Sequence, residues 1–146
     1  MSEEDDKVAK FIELQSPDDR TGLACQWIER NYERGNTVAV HAADRGQASD
    51  MDKKLWTFKQ NSFIPHGIVG EVGEPVIEPV LIAAGDDETP DSDVLMVLSD
   101  QGRQQWLEAF DHVYDFAPLY DDDLKQNARR RFKAYQEAGF RMRYIN

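Results

Sequence analysis

The sequence predicts an α/β fold in three layers: an open, mostly parallel or mixed sheet with helices on both faces. Three observations point to it. Short apolar runs such as Thr37–His41 and Asp93–Leu98 are continuous rather than alternating, which suits strands covered on both sides. Between such runs lie stretches whose apolar residues return every three or four positions, the repeat of a helix. The two kinds of segment alternate along the chain, as crossover units in a parallel sheet do.

Taken in order, residues 1–7 read as a disordered acidic tail, and a single domain occupies residues 8–146. Val8–Leu14 alternates poorly but is apolar enough for a first strand. Asp18–Arg34 reads as a helix with Leu23, Trp27, Ile28 and Tyr32 on one side and Gly35 placed to end it. Thr37–His41 is a buried strand. Asp44 caps a second helix running to about Trp56, with Ala48, Met51 and Leu55 as its inner stripe. Residues 57–75 hold Pro65, Gly67, Gly70, Gly73 and Pro75; they read as an ordered loop, because Phe63 and Ile64 are too apolar for a linker. Val76–Ile82 is a strand in which Pro79 argues for an edge position or a bulge. Gly85–Ser92 is an acidic turn, Asp93–Leu98 a buried strand, Gln101–Phe110 a short helix and Val113–Ala117 the final strand. Asp121 caps a last helix that runs to Ala138, and Gly139 stops it.

Composition narrows the function. The chain has 146 residues, 40% of them hydrophobic and 31% charged, as in an ordinary globular domain. No window approaches the roughly 18 apolar residues of a membrane span. The start, Met1-Ser2-Glu3-Glu4-Asp5-Asp6, lacks the basic and apolar regions of a secretory signal. Cys25 is the single cysteine, so no disulfide framework is expected, and a reducing cytoplasm is the expected compartment. Net charge is −11, which opposes direct DNA binding unless positive charge is concentrated. It is: Leu124–Asn146 carries seven basic residues against Glu137 alone, a net +6. That segment is expected to meet something anionic, either an acidic protein tail or phosphate.

The last helix carries the sharpest pattern. Leu124, Ala128, Phe132, Tyr135 and Ala138 form one apolar stripe. Lys125, Arg129 and Lys133 follow stripe residues by one position, about 100° around the helix, and make a basic ridge beside it. A solvated helix face usually mixes signs at i, i+4, and this ridge shows no such mixing within itself. Three cations beside an apolar slot suit a short acidic peptide ending in a free carboxylate.

At these residues the sequence resembles a known family. Asp115-Phe116-Ala117-Pro118, Leu124-Lys125-Gln126, Ala128-Arg129, Arg131-Phe132-Lys133-Ala134-Tyr135 and Ala138-Gly139-Phe140 form one block. Gln47-Ala48, Met51-Asp52, Leu55-Trp56, Ser62-Phe63-Ile64-Pro65-His66 and Gly70-Glu71 form a second, and Asp93-Val94-Leu95 with Leu98-Ser99 a weaker third. Together they are similar to the chi subunit family of bacterial DNA polymerase III, over roughly residues 8–140. The resemblance implies an α/β protein without enzymatic activity. It implies pairing with the small psi subunit of the clamp loader, or in some relatives with a repair helicase through an overlapping surface. It also implies binding of the acidic C-terminal tail of single-stranded-DNA-binding protein. By motif match the tail site is Lys125, Arg129 and Lys133 with Leu124, Phe132 and Ala117. The psi or helicase site centres on Phe63, with Ile64, Pro65 and Trp56. Three departures stand out: Phe132 where relatives often have Tyr, an acidic stretch Leu119–Asp123 one residue longer than usual, and the acidic N-terminus.

No catalytic residue, metal ligand or cofactor is expected. His41, His66 and His112 show no ligand spacing, and Cys25 reads as a small core residue. Asp86-Asp87-Glu88 with Asp91 and Asp93 lacks the calcium-loop pattern. A nucleotide-binding α/β enzyme or its remnant is the alternative from another class. Gly67, Gly70 and Gly73 have the wrong spacing for a dinucleotide loop, and no P-loop occurs.

Overall fold

The computed structural model describes residues 6–60, 63–70 and 78–145. Seven strands and four α-helices follow one another as β1 (Val8–Leu14), α1 (Arg20–Glu33), β2 (Val38–Ala42), α2 (Arg45–Thr57), β3 (His66–Ile68), β4 (Val80–Ala84), β5 (Val94–Val97), α3 (Gln104–Ala109), β6 (His112–Pro118), α4 (Asp122–Glu137) and β7 (Arg141–Ile145). The strands form one sheet in the order β3-β4-β2-β5-β6-β1-β7. Every pairing is parallel, so the sheet is not mixed.

Alternation along the strands sorts the core into two layers. Val38, Val40, Val94, Met96, Ile12, Leu14, Tyr114 and Phe116 meet Ala24, Cys25 and Ile28 of α1 and Ala48, Met51 and Leu55 of α2. Their neighbours Ala39, Leu95, Val97, Phe11, Val113 and Ala117 meet Trp106 of α3 and Ala128 and Tyr135 of α4. Helices therefore cover both faces, and the continuous apolar runs follow from burial on both sides. Cys25 is fully buried, and desolvation pushes its thiol up to about 12, so it is a packing residue.

The caps agree with the sequence. Asp44 Oδ1 accepts the Gln47 N–H at 2.8 Å, and Asp121 Oδ1 accepts the Leu124 N–H at 2.9 Å. Gly139, at φ 96°, closes α4 with a pair of returning bonds: the Gly139 N–H to the Gln136 carbonyl at 3.1 Å and the Phe140 N–H to the Tyr135 carbonyl at 3.0 Å. The Phe140 ring packs edge-on against Tyr135, 5.2 Å between centroids. This turn hands the chain straight to β7.

Several expectations are corrected. Val113–Ala117 lies within β6, which is not the last strand: Arg141–Ile145 adds β7 beside β1. The loop expected over 57–75 contains β3, whose neighbours 71–75 lie outside the described residues. Pro79 does not mark an edge strand. It precedes β4, its carbonyl accepts the Val38 N–H at 2.8 Å, and β4 lies between β3 and β2. Residues 76 and 77 of the expected strand lie outside the described residues. The first helix begins at Arg20 after a 3-10 turn over Pro17–Asp19, and α3 begins only at Gln104. Asp6 and Lys7, counted with the tail, are fastened: Asp6 pairs with Arg141 at 3.3 Å, and the Lys7 Nζ donates to the Leu107 carbonyl at 2.8 Å. Residues 1–5 lie outside the described residues.

Candidate functional site: a pocket between the last helix and the sheet edge

Helix α4 packs against β6 and β7 with its own Ala128, Arg131 and Tyr135 buried. Its register is fixed by an internal charge. Arg131 Nε donates to Asp115 Oδ2 at 2.8 Å, and Nη2 donates to Asp115 Oδ1 at 3.2 Å and to the Phe116 carbonyl at 3.0 Å. Nη1 donates to the Asp100 carbonyl at 2.9 Å. Asp100, at φ 59°, also takes two bonds from Arg20, at 2.8 and 2.9 Å. Burial opposes charge on Arg131, but the Asp115 and Asp100 carboxylates outweigh it and hold the guanidinium protonated. One of the seven cations of the basic segment is thus a strut inside the molecule.

With α4 held this way, a cleft of about 230 Å³ opens between its N-terminal half and the strands β6, β1 and β7. Phe11, Ala117, Pro118, Ala128 and Phe132 give it apolar walls, Lys125 and Arg129 a cationic lip, and Glu13 and Tyr144 stand among its other lining residues. Phe132 meets Phe11 edge-on at 5.4 Å and stacks on Tyr144 at 5.4 Å and 15°. Tyr144 is 60% exposed. Neither Lys125 nor Arg129 has an ion pair among the described residues.

Of the six residues singled out for the tail, Lys125, Arg129, Phe132 and Ala117 line this cleft. Leu124 and Lys133 do not. Lys133 lies further along α4, with its Nζ 3.9 Å from Glu137 Oε1 at i, i+4, so the ridge does carry one mixed-sign pair. Sequence reasoning missed Phe11, Glu13, Pro118, Leu119 and Tyr144. The alternation of β1 puts Phe11 and Glu13 on one face, and the alternation in Arg141–Ile145 was available for Tyr144.

The second set of residues lies elsewhere. Phe63 and Trp56 are 65% and 51% exposed, with ring centroids 5.5 Å apart. Trp56 also packs at 4.5 Å on His66, which is buried and held by the Ile64 carbonyl at 2.7 Å. Pro65 is partly exposed; Ile64 is buried in the core and offers no surface. These rings flank β3, at the opposite end of the sheet from β1 and β7. At about 4.8 Å per strand, the two surfaces are roughly 25–30 Å apart.

The crevice at the carboxyl ends of β2 and β5, where open α/β sheets hold ligands, is filled from within. His41 Nδ1 lies 2.7 Å from Ser99 Oγ and Nε2 lies 2.9 Å from the Gly85 carbonyl, which also accepts from Arg103. The Gln47 Nε2 donates to the Leu98 carbonyl at 3.2 Å. Among the described residues no cluster of three or more His, Cys, Asp or Glu could hold a metal, and no helix is long and apolar enough to cross a membrane.

Comparison with known proteins gives a consistent result. The family model described as DNA polymerase III chi subunit, HolC, matches residues 7–143. DNA polymerase III subunit chi of Escherichia coli K12 is 34% identical over 120 residues, which cover 82% of this chain and 80% of that protein. The protein of the same name from Pseudomonas aeruginosa is 31% identical over 134 residues, covering 88% and 87%. That of Haemophilus influenzae is 28% identical over 120 residues, covering 82% of each.

Proposed function

The chain belongs to the DNA polymerase III chi subunit family, and on that premise we propose that it is a non-catalytic adaptor with two separate surfaces. The α4 pocket takes the acidic C-terminal tail of single-stranded-DNA-binding protein. The Trp56–Phe63 surface takes the psi subunit of the clamp loader, and a repair helicase is the other candidate for the same ring pair.

The observation that supports this reading is the pocket itself. Lys125 and Arg129, without ion pairs among the described residues, border a slot walled by Phe11, Ala117 and Phe132. A chain end with a free carboxylate and an apolar last residue fits both features at once. Arg129 can grip the carboxylate with two parallel bonds, and Lys125 adds an adjacent positive charge. Each exposed charge pair contributes only about 0.2–1 kcal/mol. Apolar burial, at roughly 25 cal/mol per Å², must therefore supply much of the rest. The expected binding is modest and weakens with salt. The distance between the two surfaces leaves room for both partners together, as a tether between clamp loader and coated template requires.

Titration calorimetry at low salt tests the reading with a synthetic Asp-rich peptide ending in phenylalanine. Binding is expected to wild type and to be lost when Arg129→Ala is introduced or the C-terminal carboxylate is amidated. Binding that survives both changes overturns it.

A further inference from the structure

Helix α4 has a cleft on each flank, and only the first is used in the reading above. The second, about 320 Å³, lies between α4 and the segment entering α3. Asn127, Arg130 and Ala134 form its α4 side, and Arg103, Gln104 and Leu107 face them. Three guanidinium groups line it, those of Arg103, Arg130 and Arg131, and no carboxylate does.

Two of these cations are already engaged. Arg131 is bound to Asp115 and Asp100. Arg103 donates to the Gly85 carbonyl and, at 3.2 Å, to the Asp87 carbonyl. Arg130 is exposed and has no ion pair or hydrogen bond to a side chain among the described residues. It follows Arg129 by one position, about 100° around the helix, so it continues the positive surface from the first cleft over the crest of α4.

We propose that this second cleft is an outer subsite for the same acidic chain: the end residue sits in the first pocket, and the acidic residues upstream cross α4 to reach Arg130. This rests on the reading of the first pocket given above. Charge complementarity favours it, since an anionic segment leaving the first pocket over Arg129 meets Arg130 next. Length sets the condition. A helix is about 10 Å across, and an extended chain spans roughly 3.3–3.6 Å per residue, so about three to four residues are needed to cross. A three-residue peptide, with only two residues upstream of its end, fills the first pocket and stops; a ten-residue peptide reaches both.

Calorimetry with two Asp-rich peptides, of three and of ten residues, each ending in phenylalanine, tests the proposal on the full chain. Arg130→Glu is expected to weaken the long peptide about tenfold and to leave the short one within about twofold. Arg34→Glu, the same charge change at the exposed end of α1, is expected to leave both unchanged and so controls for net charge. Equal losses for both peptides, no loss for either, or an equal effect of Arg34→Glu overturns the outer subsite. The Arg129→Ala variant separates the two claims. If it removes both peptides while Arg130→Glu changes neither, only the outer subsite fails; if it changes nothing, the reading of the first pocket fails.

Discussion

Arg131 and Asp115 form a two-pronged ion pair, with Nε 2.8 Å from Oδ2, in which the arginine side chain is 5% exposed and the aspartate 0%. The pair joins α4 to β6 and so fixes how α4 presents the residues that line the first pocket. Removing the guanidinium leaves a fully buried carboxylate without its ion-pair partner, and takes one donor from each of the Asp100 and Phe116 carbonyls, the first of which keeps its bond from Asn127 Nδ2. Arg131→Ala is therefore expected to lower unfolding free energy by about 3–5 kcal/mol in urea denaturation. Arg129→Ala, two positions away but exposed, is expected to stay within about 0.5 kcal/mol of wild type. Equal effects of the two would remove the distinction between strut and ligand.

His41 gives a pH signature. Burial lowers its pKa below 6.5; the Gly85 carbonyl and the nearby Asp86 and Asp87 oppose the shift, and the Arg103 guanidinium adds to it. The unfolded chain then takes up this proton more readily as pH falls through about 6.5, so the histidine's contribution to stability is present above that pH and is lost below it. Urea denaturation between pH 7 and 5 is expected to show wild type losing stability relative to His41→Gln, by at most about 1.4 kcal/mol per pH unit. A difference that stays constant with pH would contradict this.

Glu13 lines the first pocket, and it has no ion pair among the described residues. An acidic ligand feels it as a like charge. Glu13→Gln is expected to tighten binding of the Asp-rich peptide about two- to fivefold at low salt, with the gain fading above about 0.5 M salt as screening shortens. Weaker binding in the variant would mean that Glu13 accepts a hydrogen bond from the ligand instead.

Phe63 is exposed and away from the pocket, so Phe63→Ala is expected to leave stability within about 0.5 kcal/mol and peptide affinity unchanged. In pull-downs with psi or a helicase, the same variant is expected to lose the partner. Loss of peptide binding along with the partner would refute two separate surfaces.

Much of this was legible in the sequence, for identifiable reasons. Asp44, Asp121 and Gly139 carry local capping chemistry that needs no knowledge of the rest of the chain. The runs in β2 and β5 are apolar, His41 apart, because both faces of each strand are covered. The three residues of β3 were not legible, since so short a strand inside a glycine- and proline-rich segment exists through its pairing with β4. In β7 only Met142 and Ile145 pack inward on an edge strand, so its apolar signal is thin. Missing β7 meant missing Tyr144, and so one wall of the pocket. Arg131 was read as one more surface cation because counting charge cannot see Asp115, sixteen positions earlier, beneath it.

We propose that an acidic chain end occupies the cleft between α4 and β1. The most direct test is to titrate unlabelled Asp-rich peptide ending in phenylalanine into isotope-labelled protein and follow backbone amide signals by NMR. The largest shifts are expected at Glu13, Lys125, Arg129, Phe132 and Tyr144, with Trp56 and Phe63 unmoved. Shifts centred on Trp56 and Phe63, or saturable binding that leaves the α4 amides untouched, would contradict it.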